Sequence, residues 1–337
     1  MNTLILKATI CIFLCVGALI SWSQDLFPVR VDGQYGYIDK GGTMKISPQF
    51  QNAFDFHEGL AKVKINKHIG YINISGKVVV ESKYKRGSEF SEGLAAVRNA
   101  EGKWSYIDTK GNTKFNLDCS FAYPMRGGMG RFQKSGKIGF INNLGKVVIE
   151  AKFSAAYDFH DGVSRVRKGN KWGFIDKKGV LVIQPKFDMV WDFHEGMANF
   201  RKGDEKLGKW GFIDVTGKEV IAPQFDKAFY FSEGRALIRK GGFRDGKFGF
   251  IDQAGNIIIE TKYDGAFHFN NGLACVAQGT GNLVKWGFID QTGKIVIARQ
   301  FSRSADFHNG LALVRVGDFS SGIKGYINTS GKFIFKE

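Results

Sequence analysis

From Lys171 to Ile183 the chain reads Lys-Trp-Gly-Phe-Ile-Asp, then Lys-Lys-Gly, then Val-Leu-Val-Ile. Two short apolar runs bracket a polar turn, and runs this brief, rich in aromatic and β-branched residues, predict strands. Asp, two polar residues and Gly fit a type I turn followed by a residue at positive φ, which Gly adopts without steric cost. A third run, such as Leu311 to Arg315, precedes each such pair across a loop, so every unit reads as a three-stranded antiparallel meander. The stretch that follows, 185 to 196, places Phe187, Val190, Trp191 and Phe193 at spacings of three and four. That spacing predicts a helical or 3₁₀ turn laid on the core.

The pattern repeats with a fixed register, and a period of this length signals a repeat architecture. An aromatic-Ile-Asp/Asn triplet begins at Tyr37, Tyr71, Tyr106, Phe140, Phe174, Phe212, Phe250, Phe288 and Tyr326, preceded by Gly except at Ser105. A second signature, typified by Phe193-His194-Glu195-Gly196, has its Gly at 59, 93, 128, 162, 196, 234, 272 and 310. The step from the first Gly (or Ser105) to the second is constant, as from 36 to 59 and from 287 to 310. All length variation falls in the connection before the triplet, which therefore runs over the surface. Copies five to eight carry longer versions at 202–209, 240–247, 278–285 and 316–324.

Residues 171–176, followed by Lys177-Lys178-Gly179, Pro185-Lys186-Phe187 and Phe193-His194-Glu195-Gly196, resemble the WG-repeat family of bacterial proteins, over about residues 29 to 335. The resemblance implies an exported or interaction-type β-repeat protein with no common enzymatic activity. Trp fills only the slots at 104, 172, 210 and 286, while Tyr35, Ile69, Ile138, Phe248 and Lys324 hold the others. A residue so replaceable is poorly suited to chemistry. The expected fold is all-β, nine three-stranded meanders in an open, twisted, solenoid-like array, with a closed β-propeller as the alternative. Propeller blades usually need four strands and a longer repeat.

Composition adds a compartment and a charge. The first 23 residues hold Lys7, an apolar run from Ala8 to Ile20, and Ser21 and Ser23 where a signal peptidase accepts small residues. A cleaved signal peptide at 1–23 is expected, followed by one repeat domain at 24–337 in the periplasm, at the cell surface or outside the cell, with no transmembrane span left. Phe13 and Leu14 before Cys15 do not suit a lipoprotein signal. Cleavage would leave Cys119 and Cys275, too few for a disulfide framework, and both read as core fillers. It would also leave a net charge one below the full chain's +16, a balance that attracts anionic partners.

Few residues rise above plain packing. His57, His160, His194 and His308 share one repeat slot, one per unit, whereas a metal needs several ligands converging; no metal, cofactor or catalytic residue is expected. Five aromatics precede the second Gly by five residues: Tyr123, Tyr157, Trp191, Phe229 and Phe267, flanked by Phe54, Ser88 and Ala305. They would pack between repeats if buried, or stack on a partner if exposed. The long loops carry Leu207, Phe243, Val284 and Phe319, apolar residues that are costly to expose without use. These nine aromatic and loop residues are the candidate partner-binding set. The leading expectation is a non-enzymatic, monomeric binding or scaffold module for a protein or anionic glycan in the cell envelope. An envelope hydrolase with a cleft across repeats is the alternative, and a nucleic-acid binder is not favoured.

Overall fold

The computed structural model describes residues 25–242, 244–318 and 321–337. The expected signal peptide lies outside the described residues. The remainder forms nine antiparallel sheets, the blades of a closed β-propeller. Blades 2 to 9 have four strands each, ordered in space as in the chain, and blade 1 shows three among the described residues. In blade 5 the inner, second, third and outer strands are Ala156–His160, Val163–Lys168, Lys171–Asp176 and Leu181–Phe187. Blade 1 comprises Phe27–Val31, Gln34–Ile38 and Met44–Phe50; blade 9 runs from Arg303–Ser304 to Phe333–Lys336.

Two expectations are corrected together. The segment read as a helical turn is the inner strand, and the fourth strand it supplies makes each unit a blade. A bulge explains the misleading spacing. In blade 5, Ala156 faces Val166 and Phe159 faces Ser164, so the inner strand carries one extra residue between them. The extra residue turns i and i+3 to the same side, and Ala156 and Phe159 are both buried. Blade 7 repeats the device with Ala228 and Phe231. The residue just after the first of each pair, Tyr157 or Phe229, is thereby turned away from the blade's own core.

The open array is likewise overturned. Tyr326 Oη donates to Pro28 O at 3.2 Å, Arg30 N to Glu337 Oε1 at 3.2 Å, and Asn309 Nδ2 to Asp25 Oδ1 at 3.1 Å. Phe27, Val29 and Ile38 pack with Leu311, Tyr326 and Ile334 in one apolar cluster. Closure needs no strand shared between the termini, because blades join face to face by side-chain packing. Inner strands of neighbouring blades touch one another, as Lys227–Ser232 and Gly265–Asn270 do, and so lie nearest the axis.

The Gly before each aromatic triplet has a specific task. Trp172 pairs with Phe187 and Phe174 with Ile183, so the outer strand bulges across Gly173. A Cβ there would meet the Pro185 nitrogen at 2.7 Å and the Ile183 carbonyl oxygen even closer. In blade 3, where Ser105 replaces Gly, the outer strand passes without that bulge and Ser105 simply faces Asn116. Cys275 is fully buried and Cys119 packs at the edge of the core of blades 3 and 4, as fillers do.

Candidate functional site on the loop-bearing face

An up-and-down sheet sends its connections alternately to its two ends. The inner-to-second turns, such as Glu195-Gly196, share one face with the Asp176 to Gly179 turns. The variable loops share the opposite face with the crossings from each outer strand to the next blade. Each inner strand starts at that loop-bearing face, so the aromatic series, near those starts, stands beside the loops.

Three clefts open between blades there. One of about 460 Å³ is walled by Trp191, Trp210, Phe229, Tyr230 and Phe248 in blades 6 and 7. Another of about 460 Å³ includes Phe54, Trp104, Phe121 and Tyr123, and one of about 410 Å³ lies between Phe267 and Ala305. Trp191 is 48% exposed, and Tyr157, Phe267 and Phe54 are each a little over a third exposed. The series is thus neither free on the surface nor sealed in the core.

A cationic slot fills two of the inter-blade spaces. Three residues after the second Gly, Arg131 and Arg165 extend from their second strands into the gap to the next blade. Arg165 lies 3.8 Å from the Tyr157 ring centre and 4.9 Å from that of Trp191. Its Nη1 donates to Val190 O at 2.5 Å and its Nε meets Asp192 Oδ1 at 3.2 Å. Arg131 repeats the set with Tyr123 at 3.8 Å, Ala156 O at 2.9 Å and Asp158 at 3.0 Å. A guanidinium over an aromatic face, with its charge met by a carboxylate, is a stable filling for such a gap. Burial pulls the Arg165 pKa down, and Asp192 counters it. At the same slot blade 6 has Asn199, which is buried and donates through Nδ2 to Ala228 O at 2.8 Å, while its Oδ1 has no hydrogen-bond partner. The shorter side chain leaves the gap between blades 6 and 7 open.

The loops are anchored at their bases. Asp188, Asp226 and Asp264 accept from Gly203 N at 3.1 Å, Gly241 N at 2.8 Å and Gly279 N at 2.9 Å. The same carboxylates pair with Lys171, Lys209 and Lys247, which holds the Asp188 carboxyl below its ordinary range, Lys171 being the largest cause. Leu207 is 81% exposed at a loop tip and Val284 is half-buried; neither lines the three clefts. Phe243 and Phe319 lie outside the described residues.

Around the axis a second grouping emerges. His194 stacks on Tyr230 at 4.5 Å between ring centres, and Tyr230 on His268 at 3.7 Å, with His160 5.4 Å from His194. Burial, with a smaller push from His194, depresses the His268 pKa to about 4, and burial raises that of Asp306 to about 6. No group of three or more metal-ligating side chains converges among the described residues.

The model of the WG containing repeat matches residues 35–67, 69–104, 104–137, 138–172, 172–205, 210–242, 248–279 and 286–318. The chain belongs to the WG-containing repeat family. The family repeat is offset from the blades, each match running from the third-strand position of one blade to the second strand of the next, as 172–205 does from blade 5 into blade 6. No curated protein matches it by sequence. Among solved structures, a eukaryotic initiation factor is similar with a TM-score of 0.65 at 14% identity, over 93% of this chain and 96% of that one. Porphyromonas gingivalis dipeptidyl peptidase 4 is similar with a TM-score of 0.53 at 10% identity, over 90% of this chain and 63% of that one. At such identities the likeness concerns the fold alone. In this WG-repeat propeller the aromatic series was legible from its offset, whereas the Arg131, Arg165 and Asn199 slot was missed although it too has a fixed offset, three residues past each second Gly.

Proposed function

We propose that the protein is an exported, non-enzymatic propeller that captures a protein or anionic-glycan partner on its loop-bearing face. The observation that supports this reading most is the partly exposed aromatic series recurring beside three inter-blade clefts on the face that also carries the long loops. Aromatic side chains half open to water supply large contact area at small entropic cost. The net charge, +16 for the full chain and one lower once residues 1–23 are removed, adds long-range attraction for an acidic partner.

A glycoside hydrolase of the common kind would need two carboxylates facing one cleft. The three clefts each present a single acid, Glu89, Asp192 or Asp306, and Asp192 is committed to Arg165.

The test is capture from cell-envelope fractions by the chain beginning at Gln24, compared with a variant in which Leu207, Phe243, Val284 and Phe319 become Ser and another in which Trp191, Phe229 and Phe267 do. Loss of the same captured species in either variant, with strand content unchanged by circular dichroism, supports the reading. Undiminished capture by both contradicts it. Recovery of the chain in the cytoplasmic fraction would contradict export.

A further inference from the structure

The cleft between blades 6 and 7 is built from the same parts as its neighbours, with one part removed. Between blades 4 and 5 and between blades 5 and 6 a guanidinium fills the gap, flat against an aromatic ring and tied to an acid. In blade 6 that cation becomes Asn199, and the acid met by Arg165 at Asp192 becomes Tyr230 in blade 7. What remains is a slot walled by Trp191, Trp210, Phe229 and Phe248, with room of about 460 Å³, inside the range typical of small-ligand sites.

Its polar lining comprises Asp192, His194, Asn199, Lys227, Tyr230 and Arg239. Asn199 is 2% exposed and its Oδ1 is an unpartnered acceptor, a group whose burial is costly until a donor reaches it. Lys227 and Arg239 line the slot, with the Lys227 ammonium 5.5 Å from the Trp210 ring centre. Asp192, the acid on its wall, is already paired with Arg165. The slot therefore offers aromatic walls, one buried acceptor and the Lys227 ammonium.

We propose that this cleft binds an aromatic carboxylate bearing an adjacent N–H, as in an N-acylated aromatic amino acid or the C-terminal aromatic residue of a peptide. The ring lies against Trp191 and Phe229, the N–H donates to Asn199 Oδ1, and the carboxylate faces Lys227. The inference rests on the loop-bearing face being a binding surface and specifies the chemistry of one site on it.

Calorimetric titration of the chain with N-acetyl-L-phenylalanine, with its amide, and with a short peptide ending in a free-carboxyl Phe tests it. Saturable binding of N-acetyl-L-phenylalanine or of the peptide is expected, with the amide at least about tenfold weaker for want of its charge. Tighter binding of the peptide assigns the source to a protein terminus; equal binding assigns it to the free compound. Asn199→Arg combined with Tyr230→Asp rebuilds the filled gap of the neighbouring blade and is expected to abolish binding with an unchanged melting temperature. Should that variant unfold, Trp191→Ala serves instead, with an expected loss of about tenfold or more. No saturable binding of either ligand, equal affinity for the amide, or full binding by a folded variant overturns the proposal. Failure here with capture on the loop-bearing face intact would leave the broader reading standing.

Discussion

Gly42 in blade 1 lies against Ile334 in blade 9, where Gly76 lies against Ile46 and Gly217 against Ile183. The junction between the chain's two ends thus sets the same turn glycine on the preceding outer strand, but one residue off the usual register, since the blade 9 counterpart of Ile46 and Ile183 is Phe335. Gly42 sits at φ +85°, and a Cβ would run into the Ile334 carbonyl oxygen. Gly33, at φ +83°, has open space around its missing Cβ.

Those two glycines separate backbone strain from seam packing. Gly33→Ala should cost about 1–2 kcal/mol, the price of a left-handed L-residue. Gly42→Ala should cost that plus roughly 1–3 kcal/mol for overpacking at the seam. Urea unfolding midpoints of the two variants check this; equal losses would mean that the Gly42 contact does not hold the ring.

A similar logic applies at the inner-to-second turns on the same face. Glu195, at φ +53°, accepts from Glu233 N at 2.7 Å and Gly234 N at 3.0 Å in the next blade. Glu58, Glu92, Asp161, Glu233 and Asn271 make the corresponding links to their next blades. Glu195→Ala should lose roughly 1.5–3 kcal/mol, the worth of hydrogen bonds to a charged group. Glu195→Asn should lose less, since Asn tolerates this backbone region and can still accept. Thermal melts of both variants decide it, and Gly127, which occupies the slot in blade 4, marks the one such turn with no side chain to give.

Repetition made most of this fold readable, and its failures were local. The Asp176 to Gly179 turn formed as its residues dictate, with Asp176 Oδ1 accepting from Lys178 N and Val180 N, both at 2.9 Å, and Gly179 at φ +82°. The inner strand was misread because its bulge gives Val190 and Phe193 a helix-like spacing, both buried within 1%. Ring closure was not legible because it rests on packing between residues some 300 positions apart, such as Tyr326 and Pro28, and leaves no local signature. The aromatic series could be placed in sequence but not exposed or buried, because the gap beside it is set by Arg165 or Asn199 on another strand.

Gly173 and Ser105 should respond in opposite ways. Gly173→Ala drives a methyl into the outer-strand backbone and should destabilise by roughly 1–3 kcal/mol or more. Ser105→Gly, beside a strand that does not bulge, should cost under about 1 kcal/mol. Chemical denaturation compares them, and similar losses would contradict the bulge as the reason for the Gly.

Acid should act on the axis through two groups of opposite sign. His268, depressed from 6.5 to about 4, contributes stability at pH above about 6.5 that is lost as the pH falls toward 4. Asp306, raised from 3.8 to about 6, contributes stability below about 3.8 that is lost as the pH rises through 6. The two offset each other between about pH 4 and 6.5, with the lowered His194 adding to the side of His268. Asp306→Asn should therefore melt at progressively lower temperature as the pH drops from 7 to 4.5, more steeply than the parent, and His268→Gln less steeply. Parallel profiles for all three proteins would contradict the assignment.

The proposed function places binding on the face bearing the loops and the aromatic series. Its most direct test compares quantitative capture of the envelope partner by the parent chain, by the triple variant of Trp191, Phe229 and Phe267 to Ser, and by a triple variant of the turn residues Lys110, Lys177 and Lys178 to Ser on the opposite face. Capture reduced about tenfold or more by the first variant and unchanged by the second is the expected result; the reverse pattern would contradict the account.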